Sequence, residues 1–340
     1  MSKRTKSKAS KQVILGLLII SAIAMGAYAF YIKLDKRKPP DVKTPETLKP
    51  PVMQTDPQSP VNTLEPDPTP SGVTRRPNVY TFLVLGADES DYRTDVIMLA
   101  VFDTDANTLH VLHIPRDTYS NAGDRPSYHR HINLAASYKK MGDMDALIRE
   151  VKHLIGYEVD GYVFVDMDGF VKLINYIGGI EFNVPQNMNY SDPTQNLTIN
   201  LKKGKQTLNG KKALELMRFR SYANADIGRI AVRSDFLKAA ANQILSKNNI
   251  SRGAELAGVV LDNVKTSFSK ADLEWFAMQA LELKPENIQF DILPGGPAND
   301  SGYWIPYKKE LLALINKKYN PFDGPITYID IVDRAENKGK

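Results

Sequence analysis

Six arginines of this chain stand at the ends of predicted strands and helices rather than on open helix faces. Arg93 lies between two predicted strands, Arg116 directly follows one, and the other four flank two predicted helices: Arg218, Arg220, Arg229 and Arg233. A guanidinium group can bind two phosphate oxygens at once and keeps its proton at pH 7. One such arginine alone is better explained by a surface salt bridge. The set, if it converges, predicts a site for a polyanion such as a pyrophosphate.

Two aspartates that flank Arg93 are the candidates for metal binding. Asp88 and Asp95 both lie in the loop between the first two predicted strands. Two carboxylates together with diphosphate oxygens and water suit Mg²⁺, because this ion binds few protein oxygens and shares the phosphate. An acidic turn in solvent explains the same spacing equally well. The predicted cofactor is therefore Mg²⁺, with Mn²⁺ as the alternative, and the solvated turn stays open.

Other polar motifs are explained without catalytic chemistry. Asp103-Thr104-Asp105 is similar to the D-x-D of some glycosyltransferases, but its place between two strands favours a turn. His129 and His131 have no third metal ligand at a useful spacing, so they favour a polar loop. The sequence contains no H-E-x-x-H, G-x-S-x-G, P-loop or Rossmann glycine pattern, which disfavours hydrolytic triads and nucleotide-binding folds.

The segment from Gly161 to Gly179 is the candidate for contact with a lipid. It is rich in aliphatic and aromatic residues, and core packing explains most of them. If the substrate carries a lipid tail, the side chains predicted to line its channel are Phe164, Phe170 and Ile174.

All these candidates depend on the strands and helices that must position them. Short apolar runs predict strands, and longer segments with caps or glycine stops predict helices. The predicted strands are 80–86, 96–102, 108–114, 161–165, 180–184, 264–268 and 288–293, and the predicted helices are 168–176, 211–219, 229–245, 271–283 and 308–317. Strands alternate with helices, so we predict an α/β fold with a mixed central sheet flanked by helices. A single domain is expected over 78–325, with a C-terminal tail over 326–340.

The composition excludes several classes of site. The chain has 340 residues and no cysteine, so it has no disulfide, no zinc–thiolate site and no thiol nucleophile. Its net charge is +5, but residues 1–38 hold nine basic residues and one acidic residue and carry +8. The remaining 302 residues hold 35 basic and 38 acidic residues and carry −3, which disfavours a nucleic-acid-binding surface.

A charge-free run of 20 residues, 13–32, is long enough to cross a bilayer. Five basic residues precede it, so the tail at 1–12 is expected in the cytoplasm and the C-terminal domain outside the cell. Residues 33–77 read as an extended linker, since 39–77 contain 11 of the 21 prolines. A cleaved signal peptide is the alternative, because Ala27-Tyr28-Ala29 is similar to a cleavage site. We favour a retained single-pass anchor in the cell membrane.

Seven short motifs occur in a recognisable order along the chain. They are Leu85-Gly-Ala-Asp88, Arg93-Thr-Asp95, Ile114-Pro-Arg-Asp117, Gly161-Tyr-Val-Phe-Val-Asp-Met, Ile177-Gly-Gly-Ile-Glu-Phe, Ala213-Leu-Glu-Leu-Met-Arg-Phe-Arg220 and Asp226-Ile-Gly-Arg229. In this order they closely resemble the LytR–CpsA–Psr family, and the resemblance covers residues 80–245.

This resemblance implies a cell-wall glycopolymer transferase. Such enzymes move a polymer, for example teichoic acid or capsule, from an undecaprenyl-pyrophosphate carrier to a peptidoglycan sugar hydroxyl as a phosphodiester. Asp88 and Asp95 match the family's metal-binding acids, and Asp226 matches the acid of its D-x-G-R motif. Five positions match the pyrophosphate-binding arginines: Arg93, Arg116, Arg218, Arg220 and Arg229. The predicted catalytic residues are Arg93, Arg116 and Asp226, with Asp226 favoured over Asp88 as the base.

One departure from the family pattern keeps two other functions open. After D-x-G-R the family usually has x-x-R-Q, whereas here Val232 stands at the arginine position and Arg233 at the glutamine position. Arg233 could restore the lost charge from an adjacent position and bind the pyrophosphate, or it could alter substrate choice or lower the activity. The alternatives are a non-catalytic, membrane-tethered binder of anionic wall polymer and a lipid pyrophosphatase that uses water as the acceptor.

Overall fold

The structure is a computed structural model that describes most of the C-terminal three quarters of the chain. The described residues are 39–40, 73–87, 94–120, 130–137, 142–193, 197–219, 221, 225–244, 263–280, 282–298 and 302–331. The predicted anchor at 13–32 lies outside them, as does most of the linker. Within the described ranges, no helix combines the length and the apolar composition that crossing a membrane requires.

The described strands and helices alternate along much of the chain. The strands are β1 (Val79–Ala87), β2 (Thr94–Asp103), β3 (Thr108–Ile114), β4 (Gly161–Val165), β5 (Ile180–Val184), β6 (Met188–Asp192), β7 (Leu197–Leu201), β8 (Gly204–Leu208), β9 (Val264–Thr266), β10 (Ile288–Ile292), β11 (Gly295–Pro297) and β12 (Trp304–Pro306). The α-helices are α1 (Met144–Ile155), α2 (Met167–Tyr176), α3 (Gly210–Arg218), α4 (Ala225–Ile244), α5 (Lys270–Ala280) and α6 (Lys308–Leu314). Short 3-10 turns cover Ile132–Leu134 and Pro285–Asn287, and a π-helical turn covers Ile315–Tyr319.

Six strands form a mixed central sheet in the order β10-β3-β2-β1-β4-β9. β2 runs antiparallel to both β1 and β3, whereas β4 is parallel to β1 and β10 is parallel to β3. The strands β1, β3, β4 and β10 therefore all end at the same edge of the sheet, where β2 begins. Loops at such an edge are the usual place for a site in an α/β fold.

Both faces of this sheet are covered, because side chains alternate along each strand. In β1, Phe82 and Val84 point to one face, whereas Leu83 and Leu85 point to the other. The first face packs against α2, α3, α4 and α5. The second packs against α1, α6 and the π-helical turn. The predicted mixed α/β sheet with flanking helices is thereby confirmed.

The packed chain extends beyond the predicted limits of 78 and 325. Arg75 is buried before β1, and Ile326, Ile329 and Ile331 are buried in the core of the second face. The first residues of the predicted C-terminal tail therefore complete this core. The predicted strand at 180–184 is confirmed as β5, whereas α1, β6, β7 and β8 were not predicted.

A buried ion pair fixes the place where the chain enters the domain. Arg75 Nη2 lies 2.7 Å from Asp160 Oδ2, and both side chains are 6% exposed. Asp160 Oδ2 also accepts hydrogen bonds from the backbone N of Thr81 at 2.6 Å and from its hydroxyl at 3.0 Å. Arg75 Nη1 donates to the carbonyl of Pro321 at 3.0 Å. These bonds join the start of the domain to β1, to the start of β4 and to the C-terminal segment.

Two buried tyrosines of this fold predict opposite effects on stability. The Tyr80 hydroxyl is buried without a hydrogen-bond partner, whereas the Tyr157 hydroxyl donates to the carbonyl of Tyr319. We expect Tyr80→Phe to raise the free energy of unfolding by about 1 kcal/mol, since it removes an unsatisfied buried group. The matched change Tyr157→Phe should lower it by about 1 kcal/mol, since it leaves a carbonyl unpaired. Chemical denaturation of the purified protein measures both, and equal shifts would contradict the different roles of the two hydroxyls.

The same tyrosine predicts a pH dependence. Burial, with a smaller contribution from Asp160, raises the pKa of Tyr80 from 10.0 to about 12. The folded state therefore holds this proton more tightly than the unfolded state, so the protein loses stability as pH rises from 10 to 12. Tyr80→Phe should lose less stability over that window.

Candidate functional site

Asp95 is a buried carboxylate at the edge of the sheet where β2 begins. Its Oδ1 accepts a hydrogen bond from Arg116 Nη1 at 3.2 Å and another from Asn133 Nδ2 at 3.3 Å. The Asp95 side chain is only 2% exposed, whereas that of Arg116 is 24% exposed. The pair thus joins an inner carboxylate to a cation that still reaches solvent.

Strand pairing explains why these residues meet. Ile97 of β2 lies opposite Ile114 of β3, so Asp95 and Arg116, two residues beyond each, also lie opposite one another. Arg116 lies in the turn after β3, and the pairing of β1 with β2 has a bulge beside Asp95, between Gly86 and Ala87. Asn133 belongs to the 3-10 turn, and its backbone N donates to the carbonyl of Arg116 at 3.2 Å. Two strands and one turn therefore position the three side chains.

A second carboxylate holds the same guanidinium. Arg116 Nε lies 3.3 Å from Asp117 Oδ2. Burial disfavours the charged form of Arg116, but the two carboxylates outweigh this and raise the pKa of Arg116 above its usual value. The charges of Asp95, Arg116 and Asp117 sum to −1, so this cluster alone does not attract a polyanion.

Two more of the predicted arginines lie in the helical layer on the first face. Arg218 ends α3 and is buried, and Arg233 lies in α4 and is buried as well. Arg233 Nη2 donates to the carbonyl of Met217 at 2.9 Å. The structure thus joins Arg233 to the end of α3 that carries Arg218, and it gives Arg233 a role in packing α4 onto α3.

Local sequence fixes where α3 begins. Asn209 is the N-cap of α3, and its Oδ1 accepts a hydrogen bond from the backbone N of Lys212 at 2.9 Å. Gly210 follows it, and a Cβ there would lie 2.2 Å from the carbonyl oxygen of Val171 in α2. Only glycine allows this close approach of the two helices, which sets the position of Arg218 at the far end of α3.

The remaining predicted site residues fall where their side chains are not described. Asp88, Arg93 and Arg220 lie outside the described residues. Asp226 and Arg229 lie in the first turns of α4, of which only the backbone is described. Convergence of all six arginines on one pocket, with Asp88 and Asp95 sharing a metal, therefore stays a prediction.

The three side chains predicted to line a lipid channel do not share one face of the sheet. Phe164 belongs to the core of the second face, whereas Phe170 and Ile174 belong to that of the first. The reason is that Phe164 alternates with Val163 and Val165 along β4, which point to the first face. All three predicted side chains are fully packed in the core.

Some polar residues have roles that the sequence did not reveal. Asn133 and Asp117 were not singled out, because an amide and a carboxylate in a loop carry no spacing signal. The turn at Asp103 was predicted and is confirmed, since Asp103 Oδ1 accepts from the backbone N of Ala106 at 2.8 Å. His131 lies directly before the 3-10 turn, and its ring stacks against Tyr303 with the centroids 4.3 Å apart.

Comparisons with known proteins agree with the predicted resemblance. The LytR_cpsA_psr family model matches residues 51–320. The Bacillus subtilis polyisoprenyl-teichoic acid–peptidoglycan teichoic acid transferase TagV is 34% identical over 178 residues, which cover 52% of this chain and 45% of TagV. A second relative, TagU of Oceanobacillus iheyensis, is 29% identical over 199 residues, 56% of this chain and 60% of TagU. This chain spans about half the length of the curated relatives it matches.

Solved structures share the fold. The crystal structure of Streptococcus agalactiae gbs0355 superposes with a TM-score of 0.65 at 22% identity and covers 77% of this chain and 95% of that one. The structure of B. subtilis TagV gives a TM-score of 0.57 at 26% identity and covers 69% and 93% of the two chains.

The ion pairs at the two ends of β2 differ in burial, and this difference provides a test of the buried pair Asp95–Arg116. We expect Asp95→Asn to lower the free energy of unfolding by about 2 kcal/mol, since it removes the almost fully buried carboxylate that pairs with Arg116. The matched control is Asp103→Asn, because Asp103 pairs with Arg76 at 3.3 Å but their side chains are 18% and 39% exposed. That change should cost less than about 0.5 kcal/mol. Denaturation curves for the two variants measure the difference, and equal losses would contradict the role of burial.

Proposed function

Because this chain belongs to the LytR–CpsA–Psr family, we propose that it transfers an anionic glycopolymer, of the teichoic acid or capsule type, to the cell wall. The donor is the polymer on an undecaprenyl-pyrophosphate carrier, and the acceptor is a sugar hydroxyl of peptidoglycan. The product is a phosphodiester. The names of TagV and TagU as teichoic acid transferases support this class of reaction.

The observation that carries the proposal is the fixed position of Arg116. This guanidinium lies at the edge of the sheet where four strands end, inside the family-matched segment, and two carboxylates hold its direction. A preorganised donor at such a place can stabilise negative charge that grows on a phosphate oxygen during transfer. We assign this role to Arg116, with Arg93, Arg218, Arg220, Arg229 and Arg233 as further pyrophosphate ligands.

The net charge of the described cluster favours a cation as a partner. Asp95, Arg116 and Asp117 together carry −1, so a pyrophosphate needs additional positive charge to bind here. Mg²⁺ needs only one or two protein carboxylates when it shares a phosphate, so Asp95, together with Asp88, suits it. No group of three acidic or histidine side chains occurs among the described residues, which is compatible with this sparse form of binding. When bound, Mg²⁺ would neutralise phosphate charge.

The proposed step is a displacement at phosphorus. The acceptor hydroxyl oxygen attacks the phosphorus that carries the polymer, and the P–O bond to the lipid phosphate breaks. Lipid monophosphate leaves, and the hydroxyl proton passes to a carboxylate, which we assign to Asp226. A carboxylate bound to a metal is a poorer base, which favours Asp226 over Asp88. The proposed donor and acceptor favour a domain outside the cell, with residues 13–32 as the predicted membrane anchor.

The test of the proposal is a pair of arginine variants. We expect Arg116→Ala in the full-length protein to reduce the release of polyprenyl monophosphate at least about 100-fold, since it removes a donor to the developing charge. The control is Arg76→Ala, because Arg76 also pairs with an aspartate of β2 but lies at the opposite end of the strand. That variant should keep its rate within about twofold. Melting curves of both variants will check that they fold.

The products of this assay separate the three candidate functions. A phosphodiester-linked polymer on the acceptor supports transfer, whereas free polymer phosphate indicates a lipid pyrophosphatase. Tight binding of the donor by the unmodified protein without turnover indicates a polymer-binding module. Full activity of Arg116→Ala would contradict the assignment of Arg116.

Metal removal is the second test. Treatment with EDTA should abolish turnover, and added Mg²⁺ should restore it, because the proposed site holds the pyrophosphate partly through a Mg²⁺ bound by Asp88 and Asp95. In Asp95→Asn the concentration of Mg²⁺ that gives half-maximal rate should rise about tenfold or more, since one carboxylate ligand is lost. The rate is measured against Mg²⁺ concentration for both proteins, and turnover that persists in EDTA would contradict the requirement.

A further inference from the structure

Three aromatic side chains gather beside the candidate site. The rings of Tyr119 and Tyr303 meet edge to face, with their centroids 5.2 Å apart and an angle of 81°. His131 lies against Tyr303 on a more parallel plane, at 4.3 Å and 31°. We refer to Tyr119, His131 and Tyr303 as the aromatic platform.

Backbone hydrogen bonds hold this platform in place. The backbone N of Tyr119 donates to the carbonyl of Trp304 at 2.9 Å, and the N of Trp304 donates to the carbonyl of Asp117 at 2.8 Å. The N of Arg130 donates to the Tyr303 hydroxyl at 3.4 Å. The loop after β3, the segment before the 3-10 turn and the start of β12 are thereby joined, so the rings are preorganised.

Core packing does not account for these rings. All three are partly exposed, and none belongs to either of the two core clusters, whose members cover both faces of the sheet. Partly exposed, fixed aromatic rings are typical of binding surfaces, because they offer apolar area at a small cost in conformational entropy.

The aromatic platform lies near Arg116, the residue that we propose binds the transferred phosphate. Tyr119 follows Arg116 by three residues, so their Cα atoms are at most about 11 Å apart. His131 precedes Asn133, whose amide donates to Asp95. A molecule whose phosphate contacts Arg116 therefore brings its neighbouring groups close to the rings.

We propose that the aromatic platform binds a sugar ring of the glycan substrates. A pyranose has one face of C–H bonds, which packs on an aromatic ring, and a rim of hydroxyls, which the tyrosine hydroxyls and the imidazole can meet. The platform is uncharged when His131 is neutral, so it suits the sugar, whereas the arginines suit the phosphate. This inference rests on the proposed function only for the identity of the sugar.

Two sources could supply that sugar, and the experiment separates them. The first probe is the N-acetylglucosamine–N-acetylmuramic acid disaccharide, which represents the acceptor. The second is geranyl pyrophosphate esterified with N-acetylglucosamine, which represents the donor, and plain geranyl pyrophosphate is its sugar-free control. Dissociation constants are measured by calorimetry on the full-length protein in detergent.

The central variant is Tyr303→Ala, compared with Tyr303→Phe, which keeps the ring, and Tyr328→Ala, which removes a partly exposed tyrosine elsewhere. We expect Tyr303→Ala to weaken binding of one sugar-bearing probe about tenfold. Binding of plain geranyl pyrophosphate should stay unchanged, and so should sugar binding by Tyr303→Phe and Tyr328→Ala. His131→Ala provides a second disruption of the platform should Tyr303→Ala fold poorly.

Each outcome of these binding measurements either supports or overturns the proposal that the platform binds a sugar. Loss confined to the disaccharide assigns the platform to the acceptor, and loss confined to the sugar ester assigns it to the donor. Unchanged sugar binding in folded Tyr303→Ala and His131→Ala, or no sugar binding by the unmodified protein, overturns the proposal. Saturation transfer from aromatic protons to sugar C–H protons reports contact directly. The assay uses binding alone, so a lack of turnover would count against the proposed function and leave the platform standing.

Discussion

The candidate site depends on keeping one carboxylate charged in a place that water hardly reaches. Asp95 is almost fully buried, and a carboxylate in such a setting takes up a proton unless cations and hydrogen-bond donors compensate it. Arg116 and Asn133 provide that compensation. Each donor comes from a different segment, so the end of β3 and the 3-10 turn must hold their places relative to β2. One buried charge thus joins three segments of the chain at the edge where chemistry is expected.

The register of the strands determines where in the sheet the buried charge of Asp95 lies. β2 carries an aspartate at each end, and each aspartate has an arginine partner, yet the two pairs differ in exposure. The pair Arg76–Asp103 is more exposed than the pair Asp95–Arg116 and is expected to contribute less to stability. The pair Asp95–Arg116 lies where four strands end, and a shift of the register by one residue would turn Asp95 to the opposite face. Pairing of aliphatic residues in the middle of β2 therefore decides where the charges meet at its edge.

Much of the sheet was predictable from sequence, because its central strands are continuous apolar runs, such as 80–86 and 96–102. Helix caps such as Asn209 and the stop at Gly178-Gly179 follow from local chemistry. Contacts between distant segments were not predictable. Nothing in the sequence indicates that the Asn133 amide donates a hydrogen bond to Asp95, or that Arg233 donates one to the carbonyl of Met217. Nor does it indicate that Phe164 and Phe170 belong to opposite faces of the sheet. Apolar content alone cannot tell the two faces of a strand apart when both are buried.

The ion pair Arg75–Asp160 also fixes the side of the sheet at which the chain enters the domain. The chain enters beside the start of β1 and β4, whereas Asp95 and Arg116 lie at the other end of these strands, roughly 25 Å away. If residues 13–32 anchor the chain as predicted, the chain enters the domain on the side of the sheet opposite the edge that carries Asp95 and Arg116. With the entry side nearest the membrane, that edge would face the wall. The domain would then have to rotate for the same edge to reach a lipid headgroup.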